Sequence, residues 1–376
     1  MGLIVTLAPT VGPTLGGHLT ESLSWRWLFF INVPIGLVVL FGVARWGDFD
    51  KGDPSLAKGF DWLGLIVMAV FLMSMQYVLE EGAKNDWFDD SEILWLSVVA
   101  VLGGAIFVWR QLTYRNPIVE LRAFANRNFT VGVLMTAVSG ASLFGGTFLL
   151  PQFLGRVRHY SASEVGTTMV VSGLSMFLTG PIAGRLVRKT DPRVPMFIGF
   201  LLAGWGMYMA HGVTKDWGFW EFAGVQACRG VGVMIAMIAT QQITMSTLPP
   251  HMIKNASGLV NLARNTGGAM GLAMLATSIT QQTALYYDDM TSKLTSTNVE
   301  AAGMMSGLAQ RMLQLGVADP DGAARKALSG MLQQQATVMA FGDSFTLLAI
   351  GCFAAAVVSL LASPAKGAPP PPSDAH

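Results

Sequence analysis

Charge is scarce in this sequence. Asp, Glu, Lys and Arg make up 12% of its 376 residues, about half the share found in an ordinary soluble domain. Such a chain has little with which to coat a water-facing surface. Its net charge of +1 supplies no basic field to attract a nucleic acid. Cysteine is rarer still. Cys228 and Cys352 both fall in apolar runs, which excludes a disulfide framework and a thiolate metal site and leaves them as small buried apolar residues. There is no G-x-x-x-x-G-K-S/T loop and no H-E-x-x-H, so neither an ATP-driven pump nor that type of zinc enzyme is implied. The five histidines are scattered, and no Ser/His/Asp set can be assembled. No enzymatic activity, metal or organic cofactor is expected. The start carries no basic n-region of a signal peptide, because the first Lys or Arg is Arg26.

What the chain has instead is apolar length. Hydrophobic residues reach 52%, concentrated in runs of about 20 residues, the length that crosses a bilayer core. Ten spans are predicted, at 2–19, 27–46, 62–80, 92–110, 129–154, 164–186, 194–213, 220–246, 256–285 and 344–362. They must be helices, because an open sheet would leave backbone groups unpaired in lipid. The expected class is an all-α polytopic membrane protein. Lys and Arg set its orientation. Thirteen lie in the tail and the loops after the second, fourth, sixth and eighth spans, against five in the short loops opposite. The first set faces the cytoplasm, and the acidic loop EEGAKNDWFDDSE (80–92) faces out. Trp25, Trp27, Trp87 and Trp217 fall near outer boundaries, as an aromatic belt does. The stretch 286–343 is predicted to be one long outer loop. It contains one or two amphipathic helices, signalled by the cap-like Asp319-Pro320 and by Leu328, Met331, Leu332 and Val338 at helical spacing. The proline-rich tail 363–376 is expected to be disordered and cytoplasmic.

The first span reads LAPTVGPTLGG at 7–17. Ala8, Gly12 and Gly16 recur every four residues and share one helix face, which lets a neighbouring helix approach closely. Pro9 and Pro13 are also four apart and bend the helix, while Gly17 helps close the span. In the second span, Asn32 precedes Pro34 and is placed to bond a carbonyl freed by the proline.

Together, A-P-x-x-G-P-x-x-G-G and the following W-R-W-x-F-x-I-N-V-P-I-G resemble the fifth and sixth helices of the major facilitator superfamily, in its 14-helix drug:proton antiporter branch of EmrB/QacA type. The first stretch is similar to that branch's antiporter motif, with Ala8 in place of the usual glycine. DWFDDSEILWLS (86–97) and NPIVELRAFANRNFTVG (116–132) resemble its extra hairpin and the start of its C-terminal bundle. GPIAGRLVRKTDPR (180–193) resembles its cytoplasmic gating-loop signature, here Gly180, Gly184, Arg185, Arg188 and Lys189. LPPHMIKNASGLVNLARNTGGAMG (248–271) resembles the start of the penultimate helix. The resemblance implies that residues 1–46 are the fifth and sixth helices of an N-terminal bundle and that 47–126 are the additional two-helix hairpin. Residues 127–362 would form the C-terminal six-helix bundle. It also implies four helices before Met1, so the sequence reads as an N-terminally truncated chain.

Two ionisable residues lie well inside spans, Arg229 and Arg264, and intramembrane charge marks functional candidates. Arg229 could meet an anionic substrate, a carboxylate on another helix, or an ion-pair partner near the outer interface. Arg264, three residues after Asn261, could snorkel to the inner interface or bond to the neighbouring loop. No Asp or Glu falls mid-span. Asp343, at the start of the last span, is the remaining candidate for a proton site, or else a plain helix-start residue. Phe144, Gln152, Gln226, Met234, Met237 and Gln241 lie on spans of the cavity-lining type, and 22 methionines suit loose recognition of varied apolar ligands.

The function expected on this resemblance is a secondary multidrug exporter. It would exchange hydrophobic or amphiphilic compounds for protons across a bacterial inner membrane, driven by the proton-motive force through alternating access. Docking to a periplasmic adaptor and an outer-membrane channel is part of that expectation. The rival expectation is a non-transporting fragment or one half of a split transporter.

Overall fold

The computed structural model describes residue 12 and residues 14–47, 60–114, 117–246, 248, 250–294 and 299–363. Among these residues the regular structure is helical, and the helices begin where the sequence places caps. A short helix, α1 (14–22), leads into α2 (Trp27–Trp46). Asp61 caps α3 (Trp62–Glu81) by accepting from the Gly64 N–H at 2.8 Å. Asp90 caps α4 (Ser91–Thr113) through the N–H groups of Glu92 and Ile93. Asn126 does the same for α5 (Arg127–Val157). A reciprocal Ser161–Glu164 capping box opens α6 (Ala162–Lys189). Then follow α7 (Arg193–Met209), α8 (Phe219–Ser246), α9 (Pro250–Ser292), α10 (Val299–Gln314) and α11 (Pro320–Ser359). Pro151 and Pro181 lie inside α5 and α6, tolerated because neighbouring helices re-satisfy the freed groups.

Seven of these helices are long and apolar enough to cross a membrane. Span boundaries for α2 to α6 and for α8 agree with the apolar runs to within a few residues. α7 is only 17 residues long, and α9 is more polar than its neighbours.

Helices α5, α6, α7, α8, α9 and α11 pack into one bundle. Its most intimate contacts join α7 to α8, α5 to α9 and α6 to α8. The α7–α8 contact depends on glycine. A Cβ at Gly199 would strike the Ala236 amide, and one at Gly232 would strike the Ala203 amide, so the two backbones meet directly. The outer half of the bundle is keyed by Phe153, Phe222 and Phe341, all fully buried, with Phe153 edge-on to each of the others at 5.5 Å. The α3/α4 hairpin stands beside this bundle and touches it mainly along α9.

The structure corrects the long loop. α9 continues to Ser292 and α11 starts at Pro320, so most of 286–343 is helix and the last span grows from a 40-residue rod. The Asp319 cap and first-turn proline are where the sequence puts them, with Asp319 accepting from the Gly322 N–H at 3.0 Å. The tail beyond 363, together with Ala8, Pro9 and Pro13, lies outside the described residues.

Candidate substrate pathway

The described part of the Gly-Pro helix, α1, meets the bundle around Gly17. Gly17 is buried, and a Cβ there would collide with the Ala162 carbonyl at the start of α6. Two hydrogen bonds hold the same contact: Thr14 Oγ1 donates to the Gly166 carbonyl at 3.1 Å, and the Ser163 N–H donates to Glu21 Oε2 at 3.1 Å. Ala8 lies outside the described residues, and Gly12 and Gly16 make no close contact with described ones. A Cβ at Gly12 would meet nothing within 4 Å, and one at Gly16 would meet only a flexible Leu28 methyl. Asn32 is exposed and donates to the Leu28 carbonyl at 3.0 Å, one helical turn back, and not to the Phe30 carbonyl that Pro34 frees.

The gating-loop residues are not in a loop. Gly180, Gly184, Arg185, Arg188 and Lys189 occupy the last turns of α6, where basic side chains suit the negative end of the helix dipole. Arg188 Nε folds back to the Gly184 carbonyl at 3.1 Å. The true connection is Thr190–Pro192. After it, Arg193 pairs with Asp191 at 3.3 Å and donates to the Ala362 carbonyl at 2.9 Å, tying the start of α7 to the end of α11.

The cavity candidates separate. Gln152 lines a cavity of about 620 Å³ between α3, α5 and α9. Phe144 lies against α9, where a Cβ at Gly268 would strike its ring. Met234 is 4% exposed and part of the bundle core, while Gln241 is exposed near the opposite end of α8. Gln226 and Arg229, 2% and 1% exposed, lie inside the bundle and line none of the cavities described here. Arg229 Nη2 donates to Ser172 Oγ of α6 at 2.6 Å, and Nε donates to Gln226 Oε1 at 3.1 Å. Nη1 has no partner, and neither do Gln226 Nε2 and Ser142 Oγ. No carboxylate among the described residues lies within ion-pair distance of Arg229. The guanidinium fits only because α5 carries Gly146, where a Cβ would meet its carbon at 2.8 Å.

Arg264 lies 14 positions into α9, deeper than a snorkelling residue at the helix end, and its Nε is buried without a partner. Asn261 is exposed. Asp343 is not a helix-start residue, since α11 begins 23 residues earlier. It is half-buried in mid-helix and accepts a 2.5 Å hydrogen bond from the Tyr286 hydroxyl of α9.

Two contacts that fix the hairpin escaped the sequence reading. Arg110, counted there as a loop cation, reaches Asp61 Oδ1 with Nη2 at 2.6 Å and with Nε at 2.7 Å, clamping the end of α4 to the start of α3. The Asp61 side chain is fully buried. Burial acts to raise its pKa, but hydrogen bonds from Arg110 and the Gly64 N–H outweigh that and hold the carboxyl below the usual range. A carboxylate just before an apolar run was the available signal, but its partner lies 49 residues away. At the other end of the hairpin, Trp87 Nε1 donates to Thr277 Oγ1 of α9 at 3.1 Å. Asp86 and Trp87 both adopt left-handed backbone, with φ of 52° and 57°. That conformation is strained for a bulky residue, and here it accompanies the contact with α9.

A bundle of membrane-length helices with accessible shafts between them defines a polytopic membrane protein of the transporter class. The sequence profile of the Major Facilitator Superfamily matches residues 1–272, and the chain belongs to that superfamily. It is a transporter and not an enzyme. It is 35% identical over 366 residues to the colistin resistance protein EmrB of Acinetobacter baumannii, covering 96% of this chain and 70% of that one. It is 30% identical to the multidrug export protein EmrB of Haemophilus influenzae, covering 97% and 70%. To the multidrug export protein EmrB of Escherichia coli it is 31% identical, covering 89% and 64%.

Proposed function

We propose that the protein exports hydrophobic or amphiphilic compounds by proton-coupled antiport, through alternating access, in a bacterial inner membrane. The observation that carries this reading is the seat of α1 on α6 at Gly17. Alternating access needs two helical bodies that separate and re-engage, and a small residue at their contact lets the two backbones seat closely. Residues 1–46 belong to one body and 127–362 to the other, with 47–126 as an accessory hairpin. The basic end of α6, from Gly180 to Lys189, is the cytoplasmic counterpart of the outer seat.

In the same reading Asp343 is the proton-binding group of this chain. Protonation removes its charge, and its hydrogen bond to Tyr286 then changes from a charge-assisted to a neutral one. α9 and α11 meet at that bond, so its strength bears on their packing. The outer extension of α9, α10 and α11 is the surface offered to a periplasmic adaptor and, through it, to an outer-membrane channel. The similarity to EmrB-type export proteins supports the drug class.

The test is efflux of a fluorescent apolar dye from cells expressing the chain. Export that a protonophore stops, and that Asp343→Asn uncouples from the pH gradient, is the expected result. Export that persists without a proton gradient would refute antiport.

A further inference from the structure

A pocket of about 260 Å³ lies between α5, α9 and α11. Its lining includes Met274 of α9 and Ile350 of α11, which are 57% and 59% exposed. Exposed apolar side chains on membrane helices face lipid, whose tails are as apolar as leucine. The rest of the wall runs inward. Leu275, Leu348 and Cys352 line it and are buried, together with Ser142 of α5. Gly351 also borders the pocket, and a Cβ there would meet nothing within 4 Å. The pocket is therefore entered from the bilayer and ends inside the protein.

Three properties define what fits. No Asp, Glu, Lys, Arg or His lines the pocket, so neither an acid nor a cation finds a countercharge there, and burying either is costly. The lining holds one hydroxyl, that of Ser142, which is 1% exposed and has no hydrogen-bond partner. A buried donor without an acceptor costs free energy, and a serine hydrogen rotates to meet an acceptor that arrives. Size is the third property. An apolar cavity of about 150 Å³ holds benzene, so this one holds a body of about ten heavy atoms.

We propose that the pocket binds small uncharged ketones delivered through the lipid, with the carbonyl oxygen accepting from Ser142 Oγ and the apolar body against Leu275 and Leu348. The proposal goes beyond the exporter reading. None of the lining comes from α1, α6 or α8, so the ligand is not held at the contact between the two bodies. Leu347, also in the lining, lies one helical turn from Asp343 on α11. An occupant wedged between α9 and α11 thus sits close to the Tyr286–Asp343 bond that joins them.

The experiment uses the purified full chain in phosphatidylcholine nanodiscs, with binding to empty nanodiscs subtracted. The probe is tritiated 1-tetralone. Its competitors are tetralin, the same body without the oxygen, and tetralin-2-carboxylate, the same body with a charge. 1-Tetralone is expected to bind saturably. Tetralin should compete about fivefold more weakly, the effect of losing one neutral hydrogen bond, and the carboxylate should not compete. Ser142→Ala should weaken 1-tetralone about fivefold and leave tetralin unchanged. Gly351→Phe should abolish binding of both by filling the pocket. Binding no greater than to empty nanodiscs, equal affinity for 1-tetralone and tetralin in the unaltered chain, or 1-tetralone binding that survives Gly351→Phe would each overturn the proposal. Ser142→Ala removes a hydroxyl that holds no partner, so it reports even if the bulky variant does not fold. No transport is measured, so failure of the exporter reading leaves this result standing, and failure here leaves the exporter untouched.

Discussion

Replacing Arg229 with methionine should leave the protein as stable as before or more so. The side chain is 1% exposed, keeps two hydrogen bonds and leaves Nη1 unpartnered, with no described carboxylate in ion-pair range. Methionine fills a similar volume and forfeits the bonds to Ser172 and Gln226, about 1.5–3 kcal/mol each as charge-assisted interactions. It also removes a cation whose effective burial costs several kcal/mol. Apolar replacements of buried ionic groups have proved neutral or stabilising by about 1–4 kcal/mol, whereas removing one partner of a compensated pair destabilises by about 3–5 kcal/mol. The two cases differ in sign, which makes the measurement decisive. Thermal unfolding in detergent, followed by a thiol-reactive dye, reads the exposure of Cys352, which is 1% exposed when folded. The expected result is a melting temperature unchanged or raised by a few degrees. A clear fall would show that the charge is compensated, and the account of Arg229 as an unpaired buried cation would be wrong.

Other perturbations test the remaining contacts. Gly17→Val should lift α1 from Ala162 and reduce efflux several-fold without lowering membrane abundance; normal efflux would remove that seat from the mechanism. A Thr14→Cys/Gly166→Cys pair, cross-linked by oxidant, should arrest export until a reductant is added, and export by the cross-linked protein would show that the contact never opens. The Asp61 carboxyl has a depressed pKa in the folded state, so its contribution is complete above the unfolded value of about 3.9 and is lost only as pH falls through the lower folded value. Closure of the hairpin at its Asp61–Arg110 end, read by protease access beside Tyr114, should therefore be flat from pH 5 to 8, and a transition near pH 6 would refute the assignment. Trp87→Phe loses the bond to Thr277, about 0.5–1.5 kcal/mol, and should raise protease access to the 80–92 turn only modestly.

Most of the spanning architecture was legible because a membrane helix announces itself by apolar length alone. α2 shows the limit of that signal: the run 27–46 marks its ends, yet none of the apolar window is buried, and nothing in the composition says that it faces outward. The outer halves of α9 and α11 were read as loop because they are polar, and hydropathy does not register a polar helix. The Asp319-Pro320 cap and the helical spacing of Leu328, Met331, Leu332 and Val338 betrayed the second of them. Site residues were harder. Gln152 and Gln226 look alike in sequence, but helical phase puts one in a shaft and the other in the core. The ion pair of Asp61 and Arg110 joins the two ends of a hairpin, a relation that spacing does not encode.

The unbroken rod of α11 has a mechanical consequence. Forty residues at 1.5 Å each make a helix of about 60 Å, roughly twice the thickness of a bilayer core. It has no interior proline to act as a hinge. About 30 Å of it stands outside the membrane, so a 10° tilt of the inner half swings the outer tip by about 5 Å. Whatever rests on that tip is moved in proportion to the bundle's own rocking, with no joint in between to absorb the stroke.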